Sequence, residues 1–464
     1  KIKEEKERLM NIYGHALVDG FREKVGNFRV EPPGLFRGRG AHPRTGRLKK
    51  RIMPEDIILN IGKGVPIPKC PMPGHNWKGV IHNPKVTWLA YWIDSVNKDY
   101  KYVWLAGSSK FKGISDFLKY EKSRALKNKI ESIRKQYTTD LKSKQEDLRQ
   151  KATATYLIDT LALRAGNDKN AEEEADTVGC CSLRTEHLTF KGDWFDEEKQ
   201  EQLENVVHFD FLGKDSMRYE KHHHFPDIIY RNLKAFSERR NADGAIFTIS
   251  PTDLNNYLQD FMPGLSAKVF RTYNASVTLQ QELDKLDEEC FESTPITEKH
   301  VLYNRCNREV AVLCNHQKSV SKNHGTQMEK MENKLKEYMR KARLMKEHMD
   351  ELSGKKKAKK EKKKTKKKNN GDDEEKTWKF SNNVDVLKSQ LKKLQLTIAN
   401  HKGRMTLKDE NKQIALGTSK INYMDPRITV AWCKRKAVPI EKVFNASLLN
   451  KFPWAMEVPS DWKY

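Results

Sequence analysis

The stretch "GTSKINYMDPRITVAWC", Gly417 to Cys433, sets one tyrosine, Tyr423, between two cations, Lys420 and Arg427. What the rest of the chain brings to this tyrosine decides the fold. Immediately upstream, Val384, Leu387, Leu391, Leu394 and Ile398 recur at spacings of three and four. Further back, Met328, Met331, Leu335, Tyr338, Ala342, Met345, Met349 and Leu352 do the same. Two such seams joined by a polar loop predict an antiparallel helical hairpin whose ends lie close together. That hairpin returns Tyr423 to the place where the chain departs at His316.

The hairpin's tip holds "KKKAKKEKKKTKKK", Lys355 to Lys368, with eleven lysines and one glutamate. It reads as a solvated loop that adds unspecific attraction for phosphate and resembles a nuclear import signal. The chain as a whole, 464 residues long, carries a net charge of +25, so most of the excess lies outside this run. A basic globular body points to a polyanion, most simply nucleic acid. No segment is apolar and long enough to span a membrane. Seven cysteines, none in a CxxC pair, read as reduced thiols. No P-loop, HExxH or zinc-knuckle spacing occurs, so any chemistry is expected to come from side chains alone or from a site that motif reading does not reach, and no cofactor is expected. The chain begins at Lys1 and is expected to be a piece of a longer protein.

Residues 1–107 are turn-rich and β-leaning. "VEPPGLFRGRGAHP" combines three glycines with Arg37 and Arg39, which suits either a surface loop or a phosphate clamp. "KVTWLAYWID" and "YKYVWLAG" predict a hairpin with Trp88 and Trp92 on one face. From residue 108 the pattern is helical. Ile130, Ile133, Tyr137 and Leu141 keep helical spacing, and "TYLIDTLALRAGN" is expected to stop at Gly166. "ENVVHFDF" and "SMRYEK" flank a turn with Lys214 at its tip. Two more helices are expected in "SAKVFRTYNASVTLQQEL" and "VLYNRCNREVAVLCNHQ", the latter with Leu302, Cys306, Val310 and Leu313 inward. "HHH", residues 222–224, lacks partners at ligand spacing and reads as a polar turn.

Five residues stand out: Arg164, Lys214, Arg271, His316 and Tyr423. Each has a bland reading: a helix-end charge, a turn residue, an ion-pair partner, a satisfied core histidine, one of fifteen tyrosines. Their surroundings change that. "LALRAGN", "FLGKDS", "AKVFRTYNAS", "LCNHQ" and "SKINYMDPRITVAWC", in this order, closely resemble the eukaryotic type IB DNA topoisomerases. So do "EPPGLFRGRG", "KKRIMPEDI" and "ADTVGCCSLR", and the similarity covers nearly the whole chain.

The resemblance implies an α+β multidomain clamp. Its parts would be a mixed β/α cap (1–107), a mainly α-helical catalytic lobe of the tyrosine recombinase kind (108–318), an antiparallel coiled-coil linker (319–410, tip 354–377) and a small C-terminal helical domain (411–464). It implies that Tyr423 attacks one strand of duplex DNA to give a 3′-phosphotyrosyl link. Arg164, Arg271 and His316 would stabilise the transition state, and Lys214 would protonate the departing 5′ oxygen. Religation reverses the reaction, and rotation of the nicked strand relaxes positive and negative supercoils. By match, Arg37, Arg39, Lys101, Tyr102, Lys119, Asn167, Lys169, Thr177, Asn255, Ser266, Ala267 and Lys268 would touch DNA, mostly at phosphates. Ser266 stands where threonine is more usual. Arg39, Asp215 and Asn422 would surround a camptothecin-type poison. A nuclear monomer is expected, with the mitochondrion as the second location. The nearest rival is a site-specific tyrosine recombinase, whose second box usually reads HxxR where this chain has Lys268-Val-Phe-Arg271. A non-catalytic DNA-binding scaffold is the other.

Overall fold

A computed structural model describes residues 2–167, 169, 174–197, 200–239, 244–291, 293–353 and 378–464. The lysine-rich tip, 354–377, lies outside the described residues. The fold is mixed α+β, and contacts divide the chain into two units. One comprises Lys1–Glu282, Val310–His316 and Gly417–Tyr464, the other Leu283–Glu309 and Gln317–Leu416.

The first unit opens with α1 (Ile2–Tyr13), the hairpin β1 (His15–Val18) and β2 (Phe21–Lys24), and the short pair β3 (Gly34–Leu35) and β4 (Leu48–Lys49). Next come β5 (Ile58–Asn60), β6 (Gly79–Ile81), β7 (Trp88–Ile93) and β8 (Tyr100–Trp104), which form one sheet in the order β6-β5-β7-β8. Ala90 and Trp92 are buried on one face of β7. The expectation that Trp88 shares that face is corrected. A register shift between Trp88 and Ala90 turns Trp88 onto Tyr91 and Tyr102, at ring distances of 5.1 and 5.6 Å. One extra residue in a strand reverses a period-two pattern from that point on.

Three helices follow: α2 (Lys110–Lys127), α3 (Ile130–Asp140) and α4 (Glu146–Leu161). Ile130, Ile133, Tyr137 and Leu141 are all buried. α4 does not run to Gly166 as its sequence suggests. It ends at Leu161, with Ala162 in the left-handed region at φ 50°. Gly166, at φ +79°, is needed elsewhere, because a Cβ there would lie 2.4 Å from the Cα of Gly179. This close approach lets the carbonyls of Arg164 and Ala165 accept the N–H groups of Cys180 and Cys181, each at 2.7 Å. Arg164 thus sits in a pinned loop rather than as a charge on a helix end.

β9 (Leu188–Asp196), β10 (Glu201–Leu212) and β11 (Arg218–His224) form an antiparallel sheet with β10 central. Residues 222–224 belong to β11 and not to a turn, because each pairs across to β10. The His222 ring stacks on His208 at 4.4 Å and on Trp194 at 4.5 Å. Among the described residues no cluster of ligating side chains is arranged to hold a metal.

The rest is helical: α5 (Asp227–Ser237), α6 (Pro251–Phe261), α7 (Ala267–Glu289), α8 (Ile296–Leu313), α9 (His324–Leu352), α10 (Val384–Glu410), α11 (Leu416–Asn422), α12 (Pro426–Arg435) and α13 (Ala446–Lys451). On α8, Cys306 and Val310 are buried but Leu302 and Leu313 only half so, while Tyr303, Asn307 and Ala311 are buried too. The inward face is therefore wider than the predicted stripe. In the second unit α9 and α10 run antiparallel. His324 approaches Asp409 at 3.5 Å, Lys408 donates to Gln327 at 2.6 Å, and His401 Nε2 lies 2.8 Å from the Met331 carbonyl. Ala342, Met345, Leu387 and Leu391 make the apolar seam between them. Among the described residues no helix is long and apolar enough to cross a membrane.

Candidate active site

Tyr423 follows the last turn of α11, where its N–H donates to the Ser419 carbonyl at 3.0 Å. The residue is 4 % exposed, so its hydroxyl has exchanged water for protein partners. Arg164 Nη1 donates to the phenol oxygen at 2.8 Å, and the Arg271 guanidinium lies 4.9 Å from the ring centre. The His316 ring stacks beside it at 5.3 Å. Four of the five residues singled out by sequence therefore meet within the first unit, drawn from a loop, helix α7, the end of α8 and the end of α11.

The electrostatics follow from this crowding. Burial by itself would raise the Tyr423 phenol, but Arg271 and Arg164 outweigh it and hold the group below its ordinary value. Burial, reinforced by the same two arginines, pushes His316 down to about 3, so its imidazole is neutral near pH 7. Arg271 spends both Nη atoms on backbone carbonyls, of Ala162 and of Cys314, the latter at 3.1 Å. Its Nε and the Nε2 of His316 are buried without a hydrogen-bond partner. Two orphaned nitrogens beside one phenol, within a cationic group, form a site ready for an anion.

Lys214 occupies a second group that shares Arg164 with the first. A cavity of about 710 Å³ is lined by Arg37, Arg39, Lys101, Arg164, Asn167, Lys169, Thr177, Lys214 and Asp215 among others. Arg39 forms an ion pair with Asp215, tying the glycine-rich loop to the β10–β11 turn. Lys169 donates to Thr177 at 2.6 Å. The remaining predicted contacts lie elsewhere. Lys119 donates to the Asn422 carbonyl at 3.3 Å, one residue before the nucleophile candidate. Asn255 accepts the Ala267 N–H at 3.1 Å, fixing Ser266, Ala267 and Lys268 at the start of α7. Tyr102 belongs to the outward aromatic face of β8, between Tyr100 and Trp104.

The two cations flanking Tyr423 in sequence serve the scaffold. Lys420 is buried and donates to the Val443 carbonyl at 3.2 Å. Arg427 pairs with the fully buried Asp425 at 2.7 Å and with Glu121 at 2.6 Å, among the rings of Phe117, Trp454 and Trp462. Replacing Arg427 by Met leaves Asp425 buried and uncompensated, and the expected loss of stability in urea unfolding is about 3–5 kcal/mol. An unchanged midpoint would show that the pair does not anchor α12. Residues that motif reading passed over are Ser419, which meets His316 Nδ1 at 2.7 Å, and Ser276, which donates to the Tyr423 carbonyl at 3.3 Å and accepts the Asp425 N–H at 3.0 Å. Both lie inside quoted boxes, but only the fold reveals their partners.

Sequence comparison gives the family. The profile of the eukaryotic DNA topoisomerase I catalytic core matches residues 108–349, that of its DNA-binding fragment residues 1–105, and that of the C-terminal topoisomerase domain residues 395–464. The chain belongs to the eukaryotic DNA topoisomerase I family. It is 51% identical to DNA topoisomerase 1 of Caenorhabditis elegans, over 100% of this chain and 54% of that protein. It is 46% identical to DNA topoisomerase 1 of Homo sapiens, over 99% and 57%, and 46% identical to DNA topoisomerase 1 beta of Arabidopsis thaliana, over 100% and 48%. The chain thus spans about half the length of the curated relatives it matches.

Proposed function

We propose that this chain is a type IB DNA topoisomerase, which nicks one strand of duplex DNA, relaxes supercoils of either sign and reseals the strand without ATP or metal. The observation that carries the reading is Arg164 bonded to a buried Tyr423 phenol, with Arg271 and His316 against its ring.

In this reading the Tyr423 hydroxyl gives its proton to solvent, as Arg271 and Arg164 favour the phenolate, and the oxygen attacks the phosphorus. A P–O bond to Tyr423 forms at the 3′ end while the P–O5′ bond breaks. Lys214 gives a proton to the departing 5′ oxygen, leaving a free hydroxyl. Arg164, Arg271 Nε and His316 Nε2 take the charge gathering on the non-bridging oxygens, the contribution usually largest in such sites. The diester energy is retained in the phosphotyrosine, so the reverse attack reseals the strand.

Arg37, Arg39, Lys101, Asn167, Lys169 and Thr177 would hold phosphates along the cavity, with Tyr102, Lys119, Asn255, Ser266, Ala267 and Lys268 extending the surface. Binding would then weaken steeply with salt. The clamp, linker and C-terminal domain boundaries read from sequence, the nuclear location, the monomeric state and camptothecin-type binding near Arg39, Asp215 and Asn422 belong to the same proposal. The test is incubation with negatively and positively supercoiled plasmid in EDTA without ATP. Relaxation of both is expected. Tight binding with no relaxation would favour the non-catalytic scaffold, and strand exchange at a fixed site would favour the recombinase.

A further inference from the structure

The hydrogen bond between His316 and Ser419 joins residues far apart in sequence, and nothing in the reaction as written uses it. Ser419 is fully buried, and its Oγ lies 2.7 Å from His316 Nδ1. The ring's other nitrogen, Nε2, is buried and has no partner. A neutral imidazole carries a single N–H, and the hydrogen bond at one nitrogen decides which nitrogen holds it. A serine hydroxyl can either donate or accept, so the choice falls to the surroundings. Were Nδ1 to carry the proton, a lone pair on Nε2 would face the anion that Arg164 and Arg271 attract. With the hydroxyl donating to Nδ1, Nε2–H faces that anion instead.

We infer that Ser419 is a positioning residue, which donates its hydroxyl proton to His316 Nδ1 and so fixes the tautomer that presents Nε2–H to the scissile phosphate. The inference rests on the reading of this site as one for DNA cleavage. Burial of His316 beside two arginines supports it, because a neutral ring depends on its tautomer whereas an imidazolium would donate from both nitrogens. The Ser419 carbonyl also accepts the N–H groups of Tyr423 and Met424, each at 3.0 Å. One residue thus holds both the turn that carries Tyr423 and the partner of the His316 ring.

The test is a double-mutant cycle in single-turnover cleavage of a duplex oligonucleotide, with DNA affinity and melting temperature measured alongside. Ser419→Ala is expected to slow cleavage about 10- to 100-fold with little change in affinity, a loss typical of removing the partner that orients a functional histidine. In a His316→Ala background the same change should cost less than about twofold, since its effect runs through the ring. Ser419→Thr keeps the hydroxyl and should restore most of the rate. Nitrogen-15 spectra of histidine-labelled protein bound to duplex, with Tyr423→Phe to block cleavage, should show His316 with Nε2 protonated and Nδ1 bare.

An equal loss from Ser419→Ala with and without His316 would overturn the proposal, as would a ring protonated at Nδ1 alone. If the unaltered protein fails to cleave DNA, the functional reading fails. The nitrogen-15 spectra still decide the tautomer.

Discussion

Tyr423→Phe removes one oxygen and is expected to abolish both plasmid relaxation and covalent attachment to DNA. The ring stays. Its contacts with His316 at 5.3 Å and with the Arg271 guanidinium at 4.9 Å need no hydroxyl. The lost hydrogen bond from Arg164 is worth roughly 1 kcal/mol, so the variant should melt close to the parent and bind duplex with similar affinity. Loss of chemistry with retained binding is what a nucleophile requires. Relaxation that survives the change would move the reaction to another of the fifteen tyrosines.

Arg271→Lys keeps a positive charge yet should slow single-turnover cleavage by about 100-fold or more. The guanidinium is a planar fork, and here its geometry is fixed by the Ala162 and Cys314 carbonyls on the two Nη atoms. That leaves Nε, buried without a hydrogen-bond partner, free to meet an incoming oxygen. A lysine ammonium is a single point on a flexible stem and cannot satisfy two carbonyls while holding a third donor in place. Cleavage within a fewfold of the parent would mean that charge alone matters at this position.

How much of this was legible in the sequence depended on how local each signal was. Tyr423, Arg164, Arg271, His316 and Lys214 each sit inside a run of several characteristic residues, so the boxes could be read in order without knowing the fold. The helical periods of α3, α9 and α10 were equally plain, because their burial repeats along one element. The misreadings arose where one residue answers to a distant partner. Gly166 looked like a helix stop, but its conformation serves the approach to Gly179, and α4 already ends at Leu161. Trp88 changed face through a strand irregularity that composition does not record. Residues 222–224 carry polar side chains but complete a sheet whose other strands supply the pairing. Lys420 and Arg427 flank Tyr423 in sequence, yet the cations that hold its phenol below the ordinary value are Arg271 and Arg164, remote in sequence. Ser419 had no signal beyond its place in the box.

The most direct measurement is to trap the covalent complex on a duplex whose cleavage releases a short fragment and so prevents religation, digest the protein, and sequence the DNA-bearing peptide by mass spectrometry. The expected product is the peptide containing "INYMDPR" with a single phosphodiester link from Tyr423 to a 3′ end, the released strand bearing a 5′ hydroxyl. A link at a 5′ phosphate, a different tyrosine, or no covalent product despite binding would contradict the assignment of Tyr423 as the nucleophile.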